Sequence, residues 1–174
     1  MHNRSYIDNW GAWIANDGLA VNDGHIYNPD DTYYHIVNSG ALENNVSIEN
    51  GAVESPGTLL NKCGGAIYGP GALLGGPVEY EPCRPADAVN VLVNVVFALQ
   101  PAGVLAKDDA LLLSGFLQKA AKRLVEGNEA EGAALLAAFN IEVGRLMSEG
   151  LSDVIGRSLI ARADRALSLI TDVP

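Results

Sequence analysis

Apolar residues recur about every six positions through the first half of this 174-residue chain, and few folds accommodate so short a period. They fall at Ile14, Ala20, Ile26, Ile36, Leu42, Ile48, Val53, Leu59, Ile67 and Leu73, with Asn, Asp, Gly, Ser and Pro between them. Most steps are six residues; one is five, one eight and one ten. A unit that short buries no core alone, so its copies must stack and share one. Each reads as a three-residue strand and a polar turn, with Gly and Asn at the corners because both tolerate positive φ. One inward apolar residue per short strand is the pattern of a β-solenoid, and the abundance of Gly and Asn argues against helix. Such stacks reach, space or hold, so the beat favours an architectural or binding role over an enzymatic one.

Composition changes sharply near Cys83-Arg84-Pro85. Before it lie all six tyrosines, both tryptophans and most of the glycines, prolines and asparagines; after it the chain is rich in Ala, Leu and Val. This places a boundary between residues 1–84 and 85–174. The second part reads as four helices: 86–99, a second from Asp108 or Asp109 to about 125, 129–148, and 152–170. In the third, Leu135, Leu136, Phe139, Val143 and Leu146 lie at helical spacing on one face. Leu105 and Leu113 map onto Leu151 and Leu159, as two related helix hairpins would. The expected fold class is therefore mixed α and β, segregated: a short β-solenoid followed by an antiparallel four-helix bundle.

Charge and hydropathy narrow the function classes. A formal net charge of -10 argues against a nucleic-acid partner, because phosphate binding needs surplus Lys and Arg. No apolar run approaches the roughly 18 residues of a membrane span. Met1-His2-Asn3-Arg4 is not followed by the apolar core of a secretion signal, so an exported chain of this sequence would be a mature form or a fragment. The only cysteines are Cys63 and Cys83. Their Gly- and Pro-rich surroundings favour a disulfide, with two free buried thiols as the alternative. A bridge would indicate an oxidising, extracellular setting.

The helical part resembles the FIMAH domain, a small helical module found at the C-terminal end of many exported proteins. The residues that carry this are Leu124-Val125-Glu126-Gly127-Asn128, Leu136-Ala137-Ala138-Phe139-Asn140, Gly150-Leu151-Ser152 and Leu159-Ile160-Ala161-Arg162-Ala163. The usual Ala-Phe-Ile order is interrupted here, as Ala138-Phe139-Asn140-Ile141. The first part is similar to the Asn/Gly-rich short-repeat stalks of exported surface proteins. Those close with a Cys-Gly-Gly segment and a second Cys near a proline, as in Cys63-Gly64-Gly65 and Pro82-Cys83. The two resemblances imply an exported, surface-associated protein with no catalytic activity of its own.

Candidate sites follow from the same residues. Asn16-Asp17-Gly18 and Asn22-Asp23-Gly24 would put Asp17 and Asp23 on successive corners, a calcium arrangement that Asp30 and Asp31 could complete. Asn-Asp-Gly is also ordinary turn chemistry, so no metal and no cofactor is assigned. Trp10, Trp13, Tyr27, Tyr33 and Tyr34 form an aromatic entry region that could stack on carbohydrate or cover the first repeat. Asn3-Arg4-Ser5 and Asn45-Val46-Ser47 are glycosylation sequons. No catalytic set emerges, and His2, His25 and His35 read as outward-facing residues. The expectation is a non-enzymatic extracellular structural protein, a homo-oligomer or polymer joined end to end. The alternatives are a carbohydrate- or surface-binding accessory fragment of an exported hydrolase and, third, a hexapeptide-repeat acyltransferase.

Overall fold

A computed structural model of the chain describes residues 2–3, 6–8, 14–22, 25–27, 36–38, 40–45, 47–49, 53–55, 57–68, 73–75 and 78–171. The chain divides into two compact units, Met1–Pro82 and Cys83–Pro174.

The first unit holds short strands: β1 (His2–Asn3), β2 (Tyr6–Asp8), β3 (Ile14–Asn16), β4 (Leu19–Asn22), β5 (His25–Tyr27), β6 (Ile36–Asn38) and β7 (Ala41–Asn44). They continue with β8 (Ser47–Glu49), β9 (Val53–Ser55), β10 (Thr58–Asn61), β11 (Ala66–Tyr68), β12 (Leu73–Gly75) and β13 (Val78–Tyr80). Three parallel sheets result, in the orders β1-β4-β7-β10-β13, β11-β8-β5-β2 and β12-β9-β6-β3.

The beat residues are the register columns of these sheets. Ala20 pairs with Leu42, Leu42 with Leu59, and Leu59 with Val78. Ile26, Ile48 and Ile67 align in the second sheet; Ile14, Ile36, Val53 and Leu73 align in the third. Ala20, Ile26, Ile36, Leu42, Ile48 and Leu59 are at most 3% exposed and form one core drawn from all three sheets. Each buried Ile or Leu contributes roughly 1.5–3 kcal/mol relative to exposure.

The expected fold class is corrected by this topology. The strands are organised as three separate parallel sheets, not as the solenoid of six-residue units, and the class is mixed α and β with parallel sheets. The physical reason lies in the pairing. Six residues measure the step between consecutive strands, which belong to different sheets and share no ladder. Hydrogen-bonded partners stand much farther apart, Asn22 and Asn44 by 22 positions and Asn44 and Asn61 by 17.

The corner chemistry also differs from expectation. Among the described residues no non-glycine has positive φ, so no described asparagine serves as a left-handed corner residue. Gly65 is required by space instead. A Cβ there would stand 2.6 Å from the Asn44 carbonyl oxygen and 2.7 Å from Asn61 Oδ1.

The second unit contains α1 (Pro85–Leu99), α2 (Lys107–Val125), α3 (Glu129–Ser148) and α4 (Asp153–Thr171). Packing joins α1 to α2, α2 to α3, α3 to α4 and α1 to α4. Pro85 opens α1, where a missing N–H costs nothing. Asp108 and Asp109 lie in the first turn of α2 and favour its positive end, but neither caps it; the cap position is Ala106. Asn128 caps α3, accepting from the Glu131 N–H at 3.3 Å while its own amide donates to Glu131 Oε2 at 2.8 Å.

The buried faces repeat. Leu113 and Leu159, Leu117 and Ala163, and Ala120 and Ala166 are all buried, each pair 46 positions apart. Leu92 and Phe139, and Val96 and Val143, are buried 47 apart. The helical core also encloses one charged side chain, Arg162, at 1% exposure.

Candidate functional site

The most organised polar chemistry among the described residues of the first unit is a pair of amide ladders, one buried and one partly buried. Asn22 Nδ2 donates to Asn44 Oδ1 at 2.8 Å, and Asn44 Nδ2 donates to Asn61 Oδ1 at 2.7 Å. Asn44 also reaches the Ala66 carbonyl at 3.1 Å, and Asn61 donates to the Gly65 carbonyl at 2.9 Å. In a second ladder Asn16 Nδ2 donates to Asn38 Oδ1 at 2.7 Å, and Asn38 Nδ2 to the Thr58 carbonyl at 2.8 Å.

Asn22, Asn38, Asn44 and Asn61 are at most 2% exposed, where an unpaired amide would be costly. Each of the five asparagines ends its strand, and each follows a beat residue by two positions. Two positions along a strand is the same face, so the amides inherit the inward direction of the beat. That spacing was visible in the sequence, and turn propensity concealed its meaning. Amides engaged this way rigidify a core and fix its register; they are not presented to a ligand.

A second cluster gathers where the first unit ends. Cys63 and Cys83 are joined in a disulfide, and neither is a free thiol. The Cys63 N–H donates to the Glu81 carboxylate at 3.0 Å, and Lys62 Nζ lies 3.4 Å from Glu81 Oε1. The backbone N–H bond holds the Glu81 carboxyl below its ordinary value of 4.5, with Lys62 assisting against desolvation. A lowered folded value means that this contact stabilises above the ordinary carboxylate pKa and is lost as pH falls through the folded one. Between pH 6 and about pH 3, wild type is therefore expected to lose more stability than Glu81→Gln, by paired denaturant titrations that follow tyrosine and tryptophan emission. The Glu81 side chain is 41% exposed, so screening keeps the difference small.

In the helical unit Arg145 organises the charges. Its guanidinium donates to Glu142 Oε1 at 2.7 Å and to Glu149, and stands 3.7 Å from Asp109. These bonds raise the Arg145 pKa and lower that of Glu142. The ion pairs tie the start of α2 to the end of α3 beside a cleft of about 190 Å³ lined by Leu105, Asp109, Leu146, Glu149 and Leu151. A second cleft, of about 290 Å³, is lined by Arg84, Pro85, Leu124, Val125 and Glu129. Leu105 and Leu151, equivalent in the sequence repeat, thus share one cleft.

The remaining sequence candidates are only partly placed. Asp17 is exposed at the corner between β3 and β4. Asp23, Asp30, Asp31, Trp10, Trp13, Tyr33, Tyr34 and His35 lie outside the described residues. Asn3, His2, His25 and Tyr27 fall in strands, and half-buried Asn45 donates its backbone N–H to the Asn22 carbonyl. Among the described residues no three His, Cys, Asp or Glu side chains come together as a metal site. Sequence reasoning missed the amide ladders and the Arg145 cluster. The latter carries only a weak local signal, Glu142 and Glu149 at helical spacing from Arg145. No family model, curated protein or solved structure matches this chain.

Proposed function

We propose that this chain is a non-enzymatic structural protein of an extracellular surface, assembling with further copies of itself through the outer strands of its parallel sheets. The observation that carries the reading is how burial varies along the shared core. The middle members are at most 3% exposed, whereas Ile14 in an outer strand at one end, and Ile67 and Val78 at the other, are only partly buried. The outer strands of the three sheets are β1 and β13, β2 and β11, and β3 and β12. Outer strands offer backbone N–H and C=O groups that another chain can pair with. A contact between unlike ends does not close, and so gives open assemblies.

Two further points support the setting: the disulfide suits an oxidising compartment, and the helical unit resembles a module of exported proteins.

Multi-angle light scattering of the full chain over a wide concentration range is the test. The expected result is a mass above that of one chain that grows with concentration. Ile14→Asp should shift this growth to higher concentration, with ellipticity at 222 nm confirming that the helical unit stays folded. A single-chain mass at every concentration would overturn the proposal.

A further inference from the structure

The position of the disulfide in the sheet order suggests a role beyond general stiffening. The segment between Cys63 and Cys83 contains β11, β12 and β13, the outermost strand of each of the three sheets, and no other described strand. Each has a ladder on one side only, β11 to β8, β12 to β9 and β13 to β10. Their apolar grip is also weaker than that of the strands beneath. Ile67 and Val78 are partly buried, and Tyr80 is 51% exposed, while Ile48 and Leu59 below them are 0% and 2% exposed.

The amide ladder stops at this layer as well. The column Asn22, Asn44, Asn61 meets Tyr80 at the next register position, and Asn61 turns its amide to the Gly65 carbonyl. At its two ends the layer is tied by the bridge and by the bonds of Glu81 to Lys62 and to the Cys63 and Asn61 backbone, and from within it the Tyr68 hydroxyl donates to Glu49 Oε2 at 3.5 Å.

We propose that the Cys63–Cys83 disulfide is a redox latch on this terminal layer: oxidised, it keeps β11, β12 and β13 closed; reduced, it lets them open as a unit while the layers beneath stay folded. Reduction by a dithiol passes two electrons and two protons to the bridge. Cys63 and Cys83 become thiols, and the reductant leaves as its cyclic disulfide. Closing a loop of this length shifts an opening equilibrium by about two orders of magnitude. Opening uncovers the outer edges of β8, β9 and β10 with Ile48 and Leu59, fresh edges of the kind that pair with another chain. The latch is independent of the assembly proposed above, since it concerns opening within one chain.

Hydrogen exchange read by mass spectrometry on the full chain, with and without a dithiol, tests this, and alkylation of the freed thiols confirms reduction. Amides in residues 66–80 should exchange about 100-fold faster in the reduced chain. Those in 41–49 and in 107–148 should keep their rates. The Cys63→Ser/Cys83→Ser chain should match the reduced wild type; should that variant not fold, the reduced wild type alone decides. Unchanged protection at 66–80 after complete reduction would overturn the latch. So would an equal loss at 41–49, which would make the bridge a staple of the whole unit.

Discussion

Replacing Asn44 with Ala is expected to cost the strand unit about 3 kcal/mol or more. The amide sits in the middle of the longer ladder and is fully buried. It accepts from Asn22 Nδ2 and donates both to Asn61 Oδ1 and to the Ala66 carbonyl. Removing it strands one donor and two acceptors where water does not reach. Each orphaned buried group costs about 1–3 kcal/mol, which outweighs the modest net value of an average hydrogen bond. Denaturant unfolding followed by tyrosine and tryptophan emission isolates the effect, because all of those side chains precede residue 84. An Asn44→Ala midpoint within error of wild type would show that the ladder is decorative. Asp17→Ala, on the exposed corner nearby, is expected to stay within about 0.5 kcal/mol.

Phe139→Ala is expected to destabilise the helical unit by about 3–5 kcal/mol. Phe139 is 0% exposed on α3, on the face it shares with Leu136, Val143 and Leu146. Deleting the ring removes its burial and leaves a void that close-packed helices refill only in part. Two positions along, Ile141 is 76% exposed, and Ile141→Ala should change stability by no more than about 0.5 kcal/mol. Ellipticity at 222 nm reports this unit, since the strand unit contributes little helix signal. Equal effects at the two positions would mean that the α3 face is assigned wrongly.

How much of this was legible varies with how local the cause is. Apolar, helix-forming composition places helices at 86–99, 129–148 and 152–170, the one at 129–148 with an apolar face at helical spacing, and α1, α3 and α4 fall within a residue or so of those limits. Their spacing is set by side chains three and four apart, which any window of sequence contains. Acidic residues favour caps, which points to Asp108 or Asp109 as the start of α2; the structure places the cap two or three residues earlier, at Ala106. Every beat residue belongs to a sheet column, and Ala20, Ile26, Ile36, Leu42, Ile48 and Leu59 are buried in the core, so those inward positions were legible. The architecture drawn from them was not, because the six-residue step carries no information about which strands share hydrogen bonds. Asn is expected at corners on its turn propensity, which is local, whereas the ladder partners of Asn16, Asn22, Asn38, Asn44 and Asn61 lie 17 to 22 residues away.

The sequence by itself determined the two-part division, the helical faces, the inward apolar columns and the cysteine pair, all features written in short spacings or in composition. Tertiary structure alone decided that the strands sort into three parallel sheets of five, four and four, and that buried amides bond along them. It also set the outermost strand of each sheet between the two half-cystines. Those facts depend on contacts between residues far apart in the chain, whose closing entropy and burial are balanced only when the whole unit forms.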